Sequence, residues 1–416
     1  MYQKNTPKRK TGRILLILAG LILLALAIYQ LPPVKSRLSW RIEYALIYLR
    51  GVFNPVEAVP TPVASQPLPT ATPAATFTPL PATPTTGITP TTAPTPTPLP
   101  LQVFLPSPRH EKEDLNACGP ATLAMYLNYW GWQGDQFTIS DVIKPIRADR
   151  NVNVEELVYY SRNYTGWLLT EYRVGGNLEM LRQLLAAEIP VMIEGSFLID
   201  QSYWPNDDRW AGHYLLVNGY DDSRQSFLLQ DSERGPDQMV PYETLKADWQ
   251  SFNYVYILVY PPEKQETVKA ILGDNWDPDQ NRQNALELAQ AETEADPDNA
   301  FAWFNLGTNL VYFDRHADAV TAYDQARSLG LPQRMLRYQF GPFLAYFNAL
   351  RTEDLLALTD YALDRTANSE EALLWRGWAL YRQGNKAEAL SSFQQALEAH
   401  PGYHDAIYAI EYVQSN

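Results

Sequence analysis

Cysteine is almost missing: the 416-residue chain contains one, Cys118. A single thiol excludes an internal disulfide, a CxxC redox pair and a cysteine-rich zinc site. Histidine is scarce, with five in all, and no HExxH pair occurs. A zinc hydrolase of that kind is therefore excluded, and neither a metal nor a cofactor is expected. Basic charge is short as well. Lys and Arg number 33 against 47 Asp and Glu, a net charge of -14, and residues 101–416 alone carry 24 basic and 45 acidic groups. A body of that sign repels phosphate backbones, so no nucleic-acid partner is expected. No GxxxxGK[ST] loop occurs, which removes the usual means of cradling ATP. What is plentiful is apolar and aromatic material, 46% and 12% of residues. A chain of this length and composition folds, and it is too long for one typical core.

The amino-terminal hundred residues contain few acids. Residues 1–13 hold Lys4, Lys8, Arg9, Lys10 and Arg13, a basic tail on the cytoplasmic side of any membrane. The apolar run that follows makes 14–31 a transmembrane helix or signal anchor, or else a cleaved signal peptide. The expectation is a single-pass cell-membrane protein whose body is extracytoplasmic, or a secreted one if the segment is cut. Residues 32–57 form a juxtamembrane segment in which 37–50 reads as an interfacial or packed helix. Residues 58–102 read as a disordered linker, since residues 60–100 contain 13 prolines and 13 threonines and no charge falls between Ala58 and Pro108. Proline removes backbone donors and favours extended geometry, so such a tract builds no core.

From 103 to 262 the pattern turns globular. Helices are expected over 121–129, 153–162 and 177–187, and strands after Pro190 and over 213–218, 226–230 and 254–260. Helices leading into clustered strands imply an α+β domain. Its chemistry centres on three residues. Cys118 stands in Asn116-Ala117-Cys118-Gly119-Pro120 at a helix start, where unpaired amides and the helix dipole favour a thiolate. The domain has two histidines, His110 and His213, and His213 opens a strand. Asp231 ends the next strand, placed to orient the far nitrogen of His213. Each also has an ordinary reading: a buried thiol, a core histidine, a turn aspartate.

The segments NACGPATLAMYLNYWGW at 116–132, GHYLLVNGYDD at 212–222 and LLQDS at 228–232 resemble the bacteriocin-leader-peptidase family, the double-glycine type of papain-like cysteine peptidases. The resemblance spans about residues 105–262. It implies a papain-like fold, with Cys118 as nucleophile, His213 as base then acid, and Asp231 as its orienter. The missing ATP loop means that the export-coupled role of transporter-fused members does not carry over. One position departs. Where the family places an oxyanion-binding Gln five or six residues before the cysteine, this chain has Glu113 and Lys112. An ionised carboxylate cannot donate there, and losing one oxyanion donor costs ~3–4 kcal/mol. Lys112 and Asn116 are the alternative donors. Asp274, Asp277 and Asp279 lack the loop and terminal Glu of a calcium site, and Asp207 and Asp208 read as a wet turn or a cleft lining.

After a linker at 263–280, residues 281–416 read as tetratricopeptide-like repeats. Windows 300–333 and 370–403 carry the small and aromatic residues of the 34-residue pattern, 335–365 a decayed middle copy, 284–295 half of a first copy, and 403–413 a cap. Together these give a papain-like α+β domain followed by an all-α stack. The expected activity is a membrane-tethered cysteine peptidase acting on a peptide or protein, with the repeats holding a partner or substrate. The alternative is an inactive peptidase-like surface module that binds peptides.

Overall fold

The computed structural model describes residues 17–21, 24, 28–29, 32–63, 98–144, 146–147, 149 and 151–416. The described residues form two compact units, those up to Glu57 with 199–209, and those from Ala58 to Leu198 with 210–416.

In the first unit, helix α1 covers Pro32–Phe53. Gly51 packs against Trp204, where a Cβ would come within 2.7 Å of the indole's own Cβ. The anchor expected over 14–31 is corrected. Among the described residues no helix is long and apolar enough to cross a membrane. The 22-residue α1 has the length, but Lys35, Arg37, Arg41, Glu43 and Arg50 make it too polar to span. The membrane-tethered, extracytoplasmic placement rested on that anchor and is withdrawn with it. Residues 1–13 and much of 14–31 lie outside the described residues, as does 64–97 of the Pro/Thr tract.

The described ends of that tract are not free. Val59 is buried, Arg327 donates to the carbonyls of Pro60 (2.8 Å) and Thr61 (3.1 Å), and the Val63 amide donates to Asp354 (3.1 Å). At the other end Tyr220 Oη donates to the Pro100 carbonyl at 2.7 Å.

The second unit holds a seven-stranded antiparallel sheet and a helical stack. Its elements are β1 (Gln102–Phe104), α2 (Cys118–Tyr129), α3 (Gln136–Ile143), α4 (Val154–Tyr164), β2 (Leu169–Arg173), α5 (Leu178–Ala186), β3 (Val191–Leu198), β4 (Trp210–Asp221), β5 (Ser226–Asp231), β6 (Gly235–Pro241), α6 (Tyr242–Gln250) and β7 (Tyr256–Tyr260). Strand order is β2-β7-β3-β4-β5-β6, with β1 pairing the far end of β4. Period-two alternation sorts the strand residues into two cores. Met192, Leu216, Ile257 and Val259 pack with α2 and α4, while Val191, Ile193, Val217 and Leu258 pack with α5 and α6.

Helices α7 (Gln265–Leu272) and α8 (Pro278–Ala295) lead into the stack. Asp277 caps α8 through the amides of Asp279 and Gln280, so this aspartate has a helix-end role. The stack consists of α9 (Ala300–Tyr312) with α10 (His316–Leu329), α11 (Gly341–Asn348) with α12 (Thr352–Arg365), α13 (Glu370–Arg382) with α14 (Lys386–Ala399), and α15 (His404–Ser415). Two glycines explain the close helix pairing. A Cβ on Gly307 would sit 2.8 Å from the Tyr323 ring, and one on Gly377 2.3 Å from Phe393. The middle copy differs: α11 has 8 residues where α9 and α13 have 13. Gly330, at φ 103°, and Pro332 interrupt the chain, and 334–339 runs through a single 3-10 turn, Met335–Arg337. That segment packs on the sheet domain. Gln339 donates to the Ser251 carbonyl at 2.7 Å, and Tyr338 meets the rings of Trp210 and Phe252 edge-on.

Candidate active site

The turn before α2 is bent by Asn116, whose φ is 52°, in the left-handed region that Asn tolerates best after Gly. It presents Cys118 as the first residue of α2, half-buried, with helix amides unpaired around it. Gly119 follows because a Cβ there would come within 3.3 Å of both Leu157 and Tyr214. Lys144 props the turn from below, donating to the Leu115 carbonyl at 2.6 Å.

His213 sits near the start of β4, 2% exposed. Its Nε2 lies 2.8 Å from Oδ1 of Asp231, the last residue of β5. The same oxygen accepts from the amides of Glu233 (2.8 Å) and Arg234 (3.0 Å). Burial alone would raise the Asp231 carboxyl, but the bond and charge of His213 and those two amides outweigh it and hold it at about 2. For His213 burial would lower the pKa, yet Asp231, Cys118 and Glu113 together push it up to about 10. His110, the other histidine of the domain, lies behind the site and donates from Nε2 to the Asp231 carbonyl at 2.9 Å.

On the opposite edge of the ring, Nδ1 is 3.8 Å from Oε2 of Glu113. A ring nitrogen of His213, Sγ of Cys118 and a Glu113 carboxylate oxygen all lie within 4.8 Å of one another. Ser232 Oγ donates to that same Oε2 at 2.7 Å, and the Glu113 amide donates to the Ser232 carbonyl at 3.2 Å. Burial raises the Glu113 carboxyl above its ordinary value, against the pull of His213 and Ser232.

The two alternative donors point elsewhere. Lys112 is exposed and held by the carbonyl and carboxylate of Glu233 at 2.7 and 2.5 Å. Asn116 gives its amide hydrogen to the Asp149 carbonyl at 3.4 Å and receives Arg337 Nη2 at 3.0 Å. Thus Cys118, His213, Asp231 and Glu113 come together, and Lys112 does not join them. Asp207 accepts from the amides of Tyr203 and Arg209, as a turn aspartate does.

Residues 104–257 match the Peptidase C39 like family, and residues 370–403 match the tetratricopeptide repeat. The chain carries a C39-like peptidase domain followed by tetratricopeptide repeats. Among solved structures it is similar to a putative C39-like peptidase from Bacillus anthracis, 19% identical over 38% of this chain and 96% of that one, with a TM-score of 0.30. It is also similar to a double glycine motif protease from an AMS/PCAT transporter, solved with its leader peptide: 16% identity, 38% and 94% coverage, TM-score 0.28. YrrB, a TPR protein with an unusual peptide-binding site, matches at 22% identity over 32% of this chain and 68% of that one, TM-score 0.29. No curated protein sequence matches the chain.

Three residues around the C39-like site carry no local sequence signal. Ser232 is a plain turn serine beside Asp231. Gln136, at the start of α3, accepts from the Asp114 amide and donates to the Lys112 carbonyl, both at 2.7 Å, and so clamps the segment containing Glu113. Arg337 arrives from the repeats, 221 positions away from the Asn116 it contacts. Tertiary contact alone brings it there.

Proposed function

We propose that the C39-like domain hydrolyses peptide bonds through Cys118, His213 and Asp231. The observation that carries this reading is the His213 ring, tied to Asp231 through Nε2 and holding a ring nitrogen within 4.8 Å of the sole thiol of the chain. Cys118 thiolate attacks the scissile carbonyl, and the imidazolium of His213 protonates the leaving amine. Water, deprotonated by His213, then releases the acyl group from the thioester. Asp231 keeps the Nε2 proton in place and offsets the imidazolium charge. The repeats dock on this domain and supply a surface for the substrate or a partner protein.

Glu113 favours a second reading. It stands where the resemblance expects the oxyanion-binding Gln, and a carboxylate at that position opposes the negative charge of a tetrahedral intermediate. On that reading the domain binds peptides without cutting them. A quenched-fluorescent peptide library, run on the full chain and on Cys118→Ala, separates the two. Cleavage that disappears in Cys118→Ala supports the peptidase. Peptide capture without cleavage, in both the full chain and Glu113→Gln, supports the binding module.

A further inference from the structure

The residue that disfavours an oxyanion is well suited to a cation. Glu113, Cys118 and His213 supply a carboxylate, a thiolate and an imidazole from three separate parts of the fold, all within 4.8 Å. Zinc bonds of about 2.0–2.1 Å to nitrogen or oxygen and about 2.3 Å to sulfur require tetrahedral ligands about 3.3–3.6 Å apart. The 3.8 Å between His213 Nδ1 and Glu113 Oε2 needs only a small contraction. The supporting shell is already built. A histidine that binds metal usually gives its other ring N–H to a carboxylate, and His213 gives Nε2–H to Asp231 at 2.8 Å. Ser232 Oγ steadies the facing Glu113 oxygen at 2.7 Å. Asp231 and Ser232 are themselves buried.

We propose that Glu113, Cys118 and His213 form a reversible inhibitory site for a thiophilic divalent cation of the zinc class. Thiolate and imidazole select Zn2+ or Co2+ over Mg2+ and Ca2+. The two anionic ligands neutralise the ion, and solvent fills the fourth position. Binding takes the sulfur electron pair, and the proton on His213 Nδ1 leaves to solvent, so nucleophile and base are occupied together. A neutral glutamine at position 113 would leave one charge on the ion unmatched. Glutamate therefore trades oxyanion binding for metal sensitivity. The inference does not depend on peptidase activity, because occupancy is read at the thiol itself.

Cys118 is the only cysteine, so any thiolate signal belongs to this site. In the full chain, Zn2+ should slow alkylation of Cys118 by iodoacetamide with one-to-one stoichiometry, while Mg2+ should not. Co2+ should give a thiolate-to-metal charge-transfer band that iodoacetamide pretreatment removes. Glu113→Gln should raise the half-protecting Zn2+ concentration more than about 10-fold, and Ser232→Ala about 10-fold. Circular dichroism and metal-free alkylation establish that each variant is folded with its thiol reachable. If Glu113→Gln fails to fold, Ser232→Ala decides. Absent protection by Zn2+ overturns the site, and so does unchanged protection in both variants. A protein that binds Zn2+ at Cys118 yet cuts no peptide would overturn the peptidase reading and leave the metal site standing.

Discussion

Two histidines in this molecule gather carboxylates, and the aspartates beside them, Asp231 and Asp149, shift in opposite directions. Around His213, Asp231 is met by the ring and two backbone amides and stays ionised, at about 2. Around His400, Asp149 and Glu370 close in with the ring within 4.8 Å, and Glu156 and Glu371 are neighbours. There the carboxyls lack enough donors. Burial first, then neighbouring acids, pushes Asp149 up to about 6, Glu156 up to about 8 and Glu371 well above its ordinary value. Lys144 and His400 pull the other way on Asp149 without cancelling the burial. The difference teaches that a carboxylate keeps its charge in a fold only where hydrogen-bond donors are aimed at it. The first cluster keeps a charged carboxylate against the ring that lies beside Cys118. The second holds protons where the repeats meet the segment 149–156.

The largest effect expected from this contrast comes from removing each histidine. His213→Ala or Cys118→Ala should lower peptide turnover by about 10⁴-fold or more, because members of such a unit fail together. His400→Ala should leave turnover within a few-fold of the parent. Equal losses at both histidines, measured on folded protein, would break the comparison.

Next in size is Glu113→Gln. If the proposed mechanism holds, turnover should rise about 10-fold or more at neutral pH, since a neutral amide donates where a carboxylate repels. The gain should shrink as pH falls, because Glu113 takes up a proton above its ordinary range. Parallel pH–rate profiles with equal plateaus would remove Glu113 from the oxyanion region.

Arg337→Met should have a smaller effect, a loss of about 3- to 10-fold in kcat with KM little changed. Its guanidinium holds Asn116, two residues before Cys118, and so positions that thiol indirectly. A change confined to KM would assign Arg337 to substrate binding.

The smallest effect is on stability. Glu156 and Asp149 are raised in the folded state, so the folded protein holds protons that the unfolded chain has released. Stability should therefore fall as pH rises from about 4, near the unfolded carboxyl value, through the folded values at 6 and 8. Glu156→Gln, which keeps an oxygen for the Asn153 amide, should flatten that decline and raise Tm by a few degrees at pH 8. Thermal melts across pH check it. No difference between the variants at pH 8 would show that this cluster is already relieved by solvent.

Much of the architecture was written locally. The apolar runs after Pro190 and in 213–218 and 254–260 set strands that the sheet contains, the last beginning at Tyr256, and the turn at Asn116–Pro120 set a helix start at Cys118. Gly307 with Tyr323 and Gly377 with Phe393, each pair 16 positions apart inside a 34-residue window, marked the repeats, because each pair packs within one helical hairpin. Such features depend on neighbours a few positions apart, and a sequence displays those directly.

Other features required distance in sequence to become closeness in space. The apolar run at 14–28 carried the hydropathy of a membrane span, but much of it lies outside the described residues, and among those no helix is long and apolar enough to cross a membrane. Residues 335–365 looked like a decayed repeat, and the cause lies elsewhere: their first helix is shortened where 334–339 packs against Trp210, Ser251 and Phe252. The sequence by itself determined the strands, the turn before Cys118 and the repeat period, through local sterics and short apolar runs bounded by turn residues. Which of Lys112, Glu113 and Asn116 faces His213 was decided only by tertiary structure, because Gln136, Ser232, Glu233 and Arg337, scattered over two hundred positions, each capture one polar group of that loop and leave Glu113 turned to the ring.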